Sequence, residues 1–196
     1  MTAAGPRTVL IACGALAREV LAVLDQQGLE GVDLRCLPAE LHNRPDRIPE
    51  AVRAKIRQAK AEGARPLVLY GDCGTGGRLD AVLAEEGAER IAGPHCYAFF
   101  SGLDRFAETE ERDVTSFFLT DFLARQFDAI VWAGLGLDRH PELCDVYFGN
   151  YERVVYLAQT DDPDLTAKAE GAARRLGLAF ERRLTGYGDL ARVLAA

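Results

Sequence analysis

Three cysteines stand where an apolar run gives way to a turn: Cys13 in LIACGAL (10–16), Cys73 in LVLYGDCGTGG (67–77) and Cys96 at the end of RIAGPHC (90–96). Thiolates are soft, anionic donors, and three of them around an open fourth position suit two chemistries. Zinc held this way can bind and deprotonate a thiol or a water. A [4Fe-4S] cluster held by three cysteines leaves one iron free as a Lewis acid for elimination or dehydration. The residue types do not separate the two. A single cysteine is more often a small apolar packing residue, but three at equivalent places argue for Cys13, Cys73 and Cys96 as ligands of one metal. No C-x2-C spacing occurs, so the site has to be assembled from distant parts of the chain. The odd count of five cysteines, without a secretion-like leader, argues against a disulfide framework.

Two histidines can move protons beside such a site. His42 lies in LHNRP, and His95 adjoins Cys96. Successive residues on an extended backbone point to opposite sides, so His95 suits a supporting or acid/base role better than ligation, with a satisfied structural histidine as the alternative. Tyr187, between Gly186 and Gly188 in LTGYGDL, is a candidate hydrogen-bond donor to substrate; the alternative is a packed tyrosine in an ordinary glycine turn. Cys36, Cys144 and the exposed-looking His140 are assigned no chemistry.

The segment GDCGTGG invites a phosphate-loop reading, yet it matches neither G-x-G-x-x-G nor G-x-x-x-x-G-K-[ST]. Gly14, Gly74 and Gly76 are instead expected to let the backbone wrap closely around the bound group. Backbone N–H groups at the following helix start are expected to stabilise the Cys73 thiolate and lower its pKa.

The elements that must position these residues follow from the hydrophobic pattern. Apolar runs at 7–12, 32–37, 66–71, 89–93, 153–159 and 178–184 read as strands. Helical spacing follows at 15–28, from Pro49 to Gly63, at 78–87, across 104–128 and from Asp162–Pro163 onward. Strand and helix alternate, which predicts an α/β fold: a mostly parallel sheet flanked by helices, doubly wound and Rossmann-like with three layers, formed by residues 1–196 as a single domain. Right-handed crossovers place the loop after each strand on one sheet edge, where ligands bind in open α/β folds. Cys13, Cys73 and Cys96 each follow a strand, and so does Tyr187.

Composition limits the partners. With 48% apolar residues the chain can build a sizeable core, and a net charge of −7 argues against a nucleic-acid surface. The first residues carry Gly14, Arg18 and Glu19 too early for a leader or a membrane span, so a cytoplasmic protein with no membrane partner is expected.

Taken together, the blocks ACGAL, LHNRP, YGDCG, RIAGPHCY, FFLTDFLARQFD and LTGYGDL resemble a bacterial and archaeal family of unknown function, DUF1638. The resemblance covers nearly the whole chain. It implies no settled reaction, but it does imply a setting of corrinoid-dependent methyltransferase systems acting on methylated amines, where zinc–thiolate proteins hand methyl groups to thiols. The expectation is therefore a zinc site serving one-carbon or methyl-transfer chemistry on a small molecule or thiol. The alternatives are the [4Fe-4S] site, and a non-catalytic accessory or metal-delivery partner of a corrinoid protein or methyltransferase.

Overall fold

The computed structural model describes residues 7–194 of the chain; residues 1–6, which open the stretch read above as carrying no leader, lie outside the described residues. The chain divides into two compact units, one of residues up to Cys96 together with those from Leu190 onward, the other of Tyr97–Asp189.

The first unit starts with β1 (Thr8–Cys13), a 3-10 turn (Gly14–Leu16) and α1 (Ala17–Gln26), followed by β2 (Asp33–Leu37). Two further 3-10 turns, Ala39–Asn43 and Pro45–Arg47, lead into α2 (Ile48–Ala61), then β3 (Arg65–Leu69), α3 (Arg78–Glu86) and the two-residue β4 (Glu89–Arg90). The strands are all parallel, in the order β2-β1-β3-β4. Helix α2 carries Pro49 in its first turn, where a missing N–H costs nothing. Its Val52, Ile56 and Ala59 repeat at helical spacing and pack with Val9, Ile11 and Val68 of the central strands.

The second unit contains α4 (Cys96–Ser101), whose first residue closes the first unit, then α5 (Leu103–Asp113), β5 (Ser116–Thr120) and α6 (Asp121–Gln126). A π-helical turn (Phe127–Trp132) continues α6; in it Ala133 N donates to Asp128 O, five residues back. Then come α7 (Leu143–Phe148), β6 (Arg153–Ala158), α8 (Pro163–Leu176) and β7 (Ala179–Leu184); α9 (Gly188–Leu194) starts at the end of this unit, and its residues from Leu190 onward belong to the first. The three strands are parallel, in the order β5-β6-β7. Helix α8 starts as its sequence requires: the Asp162 carboxylate accepts from Asp164 N and Leu165 N at 2.8 and 3.1 Å, with Pro163 next.

The fold is thus α/β with parallel sheets flanked by helices, but the strands are shared between two sheets. The helical reading of 104–128 is corrected: Ser116–Thr120 is a strand, paired with Arg153–Leu157 of β6. A three-residue apolar run such as Phe117–Leu119 has no periodicity that tells a strand from a buried helical turn, and its pairing partner lies 37 residues away. No described helix is long and apolar enough to cross a membrane.

Candidate thiol site at the carboxyl edge of the first sheet

Strands β1, β3 and β4 are neighbours and run the same way, so whatever follows them emerges at one edge. Cys13 is the last residue of β1, Cys73 sits in the turn after β3, and Cys96 follows β4. Each keeps partial solvent exposure.

The turn after β3 is shaped by backbone contacts. Gly71 lies against the chain at 94–95, with no room for a side chain: a Cβ there would be 2.5 Å from His95 Cα and 2.6 Å from His95 N. Two hydrogen bonds extend this contact, from Asp72 N to Gly93 O (3.2 Å) and from Cys73 N to Pro94 O (2.8 Å). The segment bearing Cys73 and the segment delivering Cys96 are therefore fastened together. Cys73 itself has φ +49°, the only non-glycine residue with a positive φ among the described residues. A side chain in that region costs about 1 kcal/mol or more, and such strain concentrates at functional sites.

Asp72 holds the rest of the turn. Its carboxylate accepts from Thr75 Oγ1 (2.7 Å), Gly77 N (2.8 Å) and Gly76 N (3.1 Å), and the Gly77 N–H in particular holds it below the usual carboxylate range. Arg90 braces the other side. Its guanidinium binds the Asp80 carboxylate at 2.6 Å and donates to Ile91 O and Gly93 O, the residues that lead to Cys96.

The three sulfurs lie within electrostatic reach of one another. Burial pushes the Cys73 thiol up to about 11, with the Cys13 sulfur adding to the rise. Burial also raises Cys13, and raises Cys96 well above its ordinary value, where both other sulfurs contribute. The expected thiolate at Cys73 is thus corrected to a neutral thiol. Helix α3 begins only at Arg78, and the first free N–H groups of the turn go to Asp72. The Gly71 and Cys96 N–H groups do favour the Cys73 anion, but less than burial disfavours it.

The histidines belong to the same edge. His42 lies in the 3-10 turn after β2; it is exposed, yet enough protein surrounds its ring for desolvation to lower its pKa. His95 is lowered by desolvation first and by the nearby His42 second, so the two rings form a neighbouring pair that favours neutral imidazoles.

Two side chains of this edge escape a reading of cysteines and histidines alone. Tyr70, 2% exposed, ends the run that leads to the turn; burial above all, and then the Cys13 sulfur that its hydroxyl faces, disfavour its ionised form. Glu19 of α1 is 4% exposed and within electrostatic reach of Cys96. Its position was legible: three residues after Leu16 and four before Val23, it falls on the apolar stripe of its helix.

The other candidates are placed as follows. Gly14 opens the 3-10 turn after Cys13, where a Cβ would stand 2.9 Å from Leu37 O; Gly74 packs on the Pro45 ring; Gly76 gives its N–H to Asp72. Tyr187 follows β7, in the second sheet, so the strand-end rule that gathers the cysteines does not gather it with them. Cys36, exposed at β2, lies within electrostatic reach of Cys13, while Cys144 packs on the second unit's core and His140 is exposed beside Glu142. Among the described residues no three His, Cys, Asp or Glu side chains stand, as placed, at the spacing that holds a metal ion. The donor chemistry nonetheless fits a soft cation: on this fastened backbone the Cys13 sulfur raises the pKa of Cys73 and both raise that of Cys96, and a dication in their midst would reverse that repulsion.

Fold and site define a parallel α/β protein with a thiol cluster at the carboxyl edge of its first sheet. Residues 36–194 match the family described as Protein of unknown function (DUF1638), and the chain belongs to that family. The matched span includes Cys73, Cys96 and both histidines, and begins after Cys13. No match was found among curated proteins or among solved structures.

Proposed function

We propose that Cys13, Cys73 and Cys96 bind one zinc ion and that the site serves transfer of a methyl or related one-carbon group to a thiol. The observation that supports this reading is that three cysteines follow neighbouring parallel strands within electrostatic reach of one another, one of them in a left-handed backbone conformation on a turn fastened by Gly71 and by the Cys73–Pro94 hydrogen bond. Zinc bound there would supply Lewis acidity, lowering the pKa of a thiol substrate so that it reacts as a thiolate. The chain's own residues divide the remaining work. The three neutral thiols release their protons when the metal enters, and the neutral imidazoles of His42 and His95 are the bases at the same edge able to receive them. Asp72 and Arg90 keep the two loops in place. Tyr70 beside Cys13 and Glu19 within electrostatic reach of Cys96 add to the polarity around the sulfurs.

The test is elemental analysis with a visible spectrum on anaerobically purified protein, beside a Cys73→Ser control. About one zinc per chain, lost in the control, supports the reading. A brown protein with about four irons and sulfide replaces zinc with the cluster. Absence of metal from both samples overturns the metal site.

A further inference from the structure

The second unit contains a cationic cleft in an otherwise acidic protein. It encloses about 330 Å³ between α6 with its π-helical continuation and α8, and three cations, Arg125, Lys168 and Arg175, line it against a single acid, Asp128. Asp128 pairs with Arg175 and the buried Asp121 with Arg125, which leaves Lys168 as the cation of the cleft with no acid of its own among the described residues.

The three cations are not equivalent. Arg175 is already held: it binds the Asp128 carboxylate at 2.5 Å and lies 3.6 Å over the Trp132 ring, which the π-helical turn presents. Lys168 makes no ion pair among the described residues. Arg125 reaches Asp121 with one amino group at 3.7 Å, while its Nη1 is buried with no hydrogen-bond partner. Burying a guanidinium N–H without a hydrogen bond is expensive, and an acceptor that bound Arg125 would offset that cost.

The helix also makes room. Lys168, Gly171 and Arg175 recur at three- and four-residue spacing, which puts them on one face of α8. Glycine destabilises a helix interior, and packing does not require it here: a Cβ at 171 would meet nothing nearer than Arg174 Nη2 at 3.8 Å. The side chain omitted is the one that would fill the cleft between the two cations.

We propose that this cleft binds a small phosphorylated ligand, its phosphate taken by Arg125 and Lys168 with Arg175 as a fixed wall. A guanidinium fork and an ammonium are the donors that phosphate recognition uses, and the volume admits a phosphate with a modest organic part. This site is independent of the thiol cluster and its reading.

The experiment is calorimetric titration of the full chain with inorganic phosphate and with pyrophosphate at low ionic strength. Saturable binding near one site per chain is expected, weakened about tenfold or more in Lys168→Gln and in Arg125→Gln, the loss of one charge-assisted hydrogen bond. Gly171 supplies the check that does not depend on removing a charge. Gly171→Ala should raise the melting temperature by about 2–4 °C while weakening phosphate binding, and Gly171→Leu should abolish binding in a folded protein. Should Arg125→Gln fail to fold, Lys168→Gln and the two Gly171 variants decide the matter alone. Binding unchanged in Lys168→Gln and Gly171→Leu, or no saturable binding of either anion, overturns the proposal.

Discussion

The backbone of Gly71 lies so close to that of His95 that a Cβ on residue 71 would come within 2.5 Å of the His95 Cα. Neither partner is a flexible side-chain end, so one backbone segment must move to admit a methyl group. Gly71→Ala is therefore expected to destabilise the protein by about 1–3 kcal/mol, as overpacking does. It should also weaken metal uptake, because the displaced segment carries Cys96. Gly76→Ala is the comparison: its Cβ meets nothing within 4 Å, and its cost is only that of a side chain at φ +62°, about 1 kcal/mol. Urea unfolding of both variants measures the difference; equal losses would mean that the Gly71–His95 contact does not organise the edge.

Cys73 combines a strained backbone with a partly buried thiol, and the two contributions oppose each other when it is replaced by glycine. Relief of the positive φ returns about 1 kcal/mol, and loss of the packed sulfur costs a similar amount. Cys73→Gly should thus leave the urea midpoint nearly unchanged while removing bound metal. A large loss of stability without loss of metal would assign Cys73 to packing instead.

The thiol edge of Cys13, Cys73 and Cys96 is legible in the sequence because parallel strands all end on one side of their sheet. Each cysteine follows a short apolar run and precedes a glycine or a helix start, and in a parallel sheet that pattern alone fixes the edge. Tyr187 satisfies the same rule but belongs to another sheet, because the pattern reports strand ends and not which strands pair. β5 was hidden for a related reason: Phe117–Thr120 runs into Asp121–Gln126 without a break, and the Thr120 hydroxyl that caps α6 by accepting from Leu123 N is one polar residue in an apolar stretch. The raised Cys73 pKa was not legible, since it depends on burial that no spacing reveals.

The shifted groups give the metal-free protein a defined pH response. Unfolded cysteines ionise near pH 8.5, whereas burial holds Cys13 and Cys96 higher and Cys73 near 11. Between roughly pH 8.5 and 11 the unfolded chain binds fewer protons than the folded one, so stability should fall as pH rises through that window. Asp113 works in the opposite direction. Arg183 binds its carboxylate at 2.5 and 2.8 Å and lowers its pKa, so this contribution is complete above the unfolded value near 4 and is lost as pH falls below it. Unfolding midpoints across pH 2–11 should show both declines, and zinc should abolish the alkaline one. An alkaline decline that persists in the Cys73→Ser variant to the same extent would remove Cys73 from its cause.

Asp121 organises the junction of β5 and β6. It is fully buried, and its two oxygens accept from Tyr156 Oη (2.7 Å), Gln159 N (3.0 Å), Thr160 Oγ1 (2.6 Å) and Thr160 N (3.1 Å). Each oxygen faces one backbone N–H and one hydroxyl, so Asp121→Asn sets an amide NH2 against a backbone N–H that cannot accept, while the hydroxyl beside it can turn to do so. The cost should be about 3 kcal/mol, combining lost charge-assisted bonds with unmet donors. Tyr156→Phe removes one donor without inverting another and should cost about 1 kcal/mol. The ordering follows from acceptor arithmetic and not from size, since both replacements nearly preserve volume. Urea unfolding that ranks the two equally would show that the carboxylate is not what joins the strands, and that their pairing and the core beneath suffice.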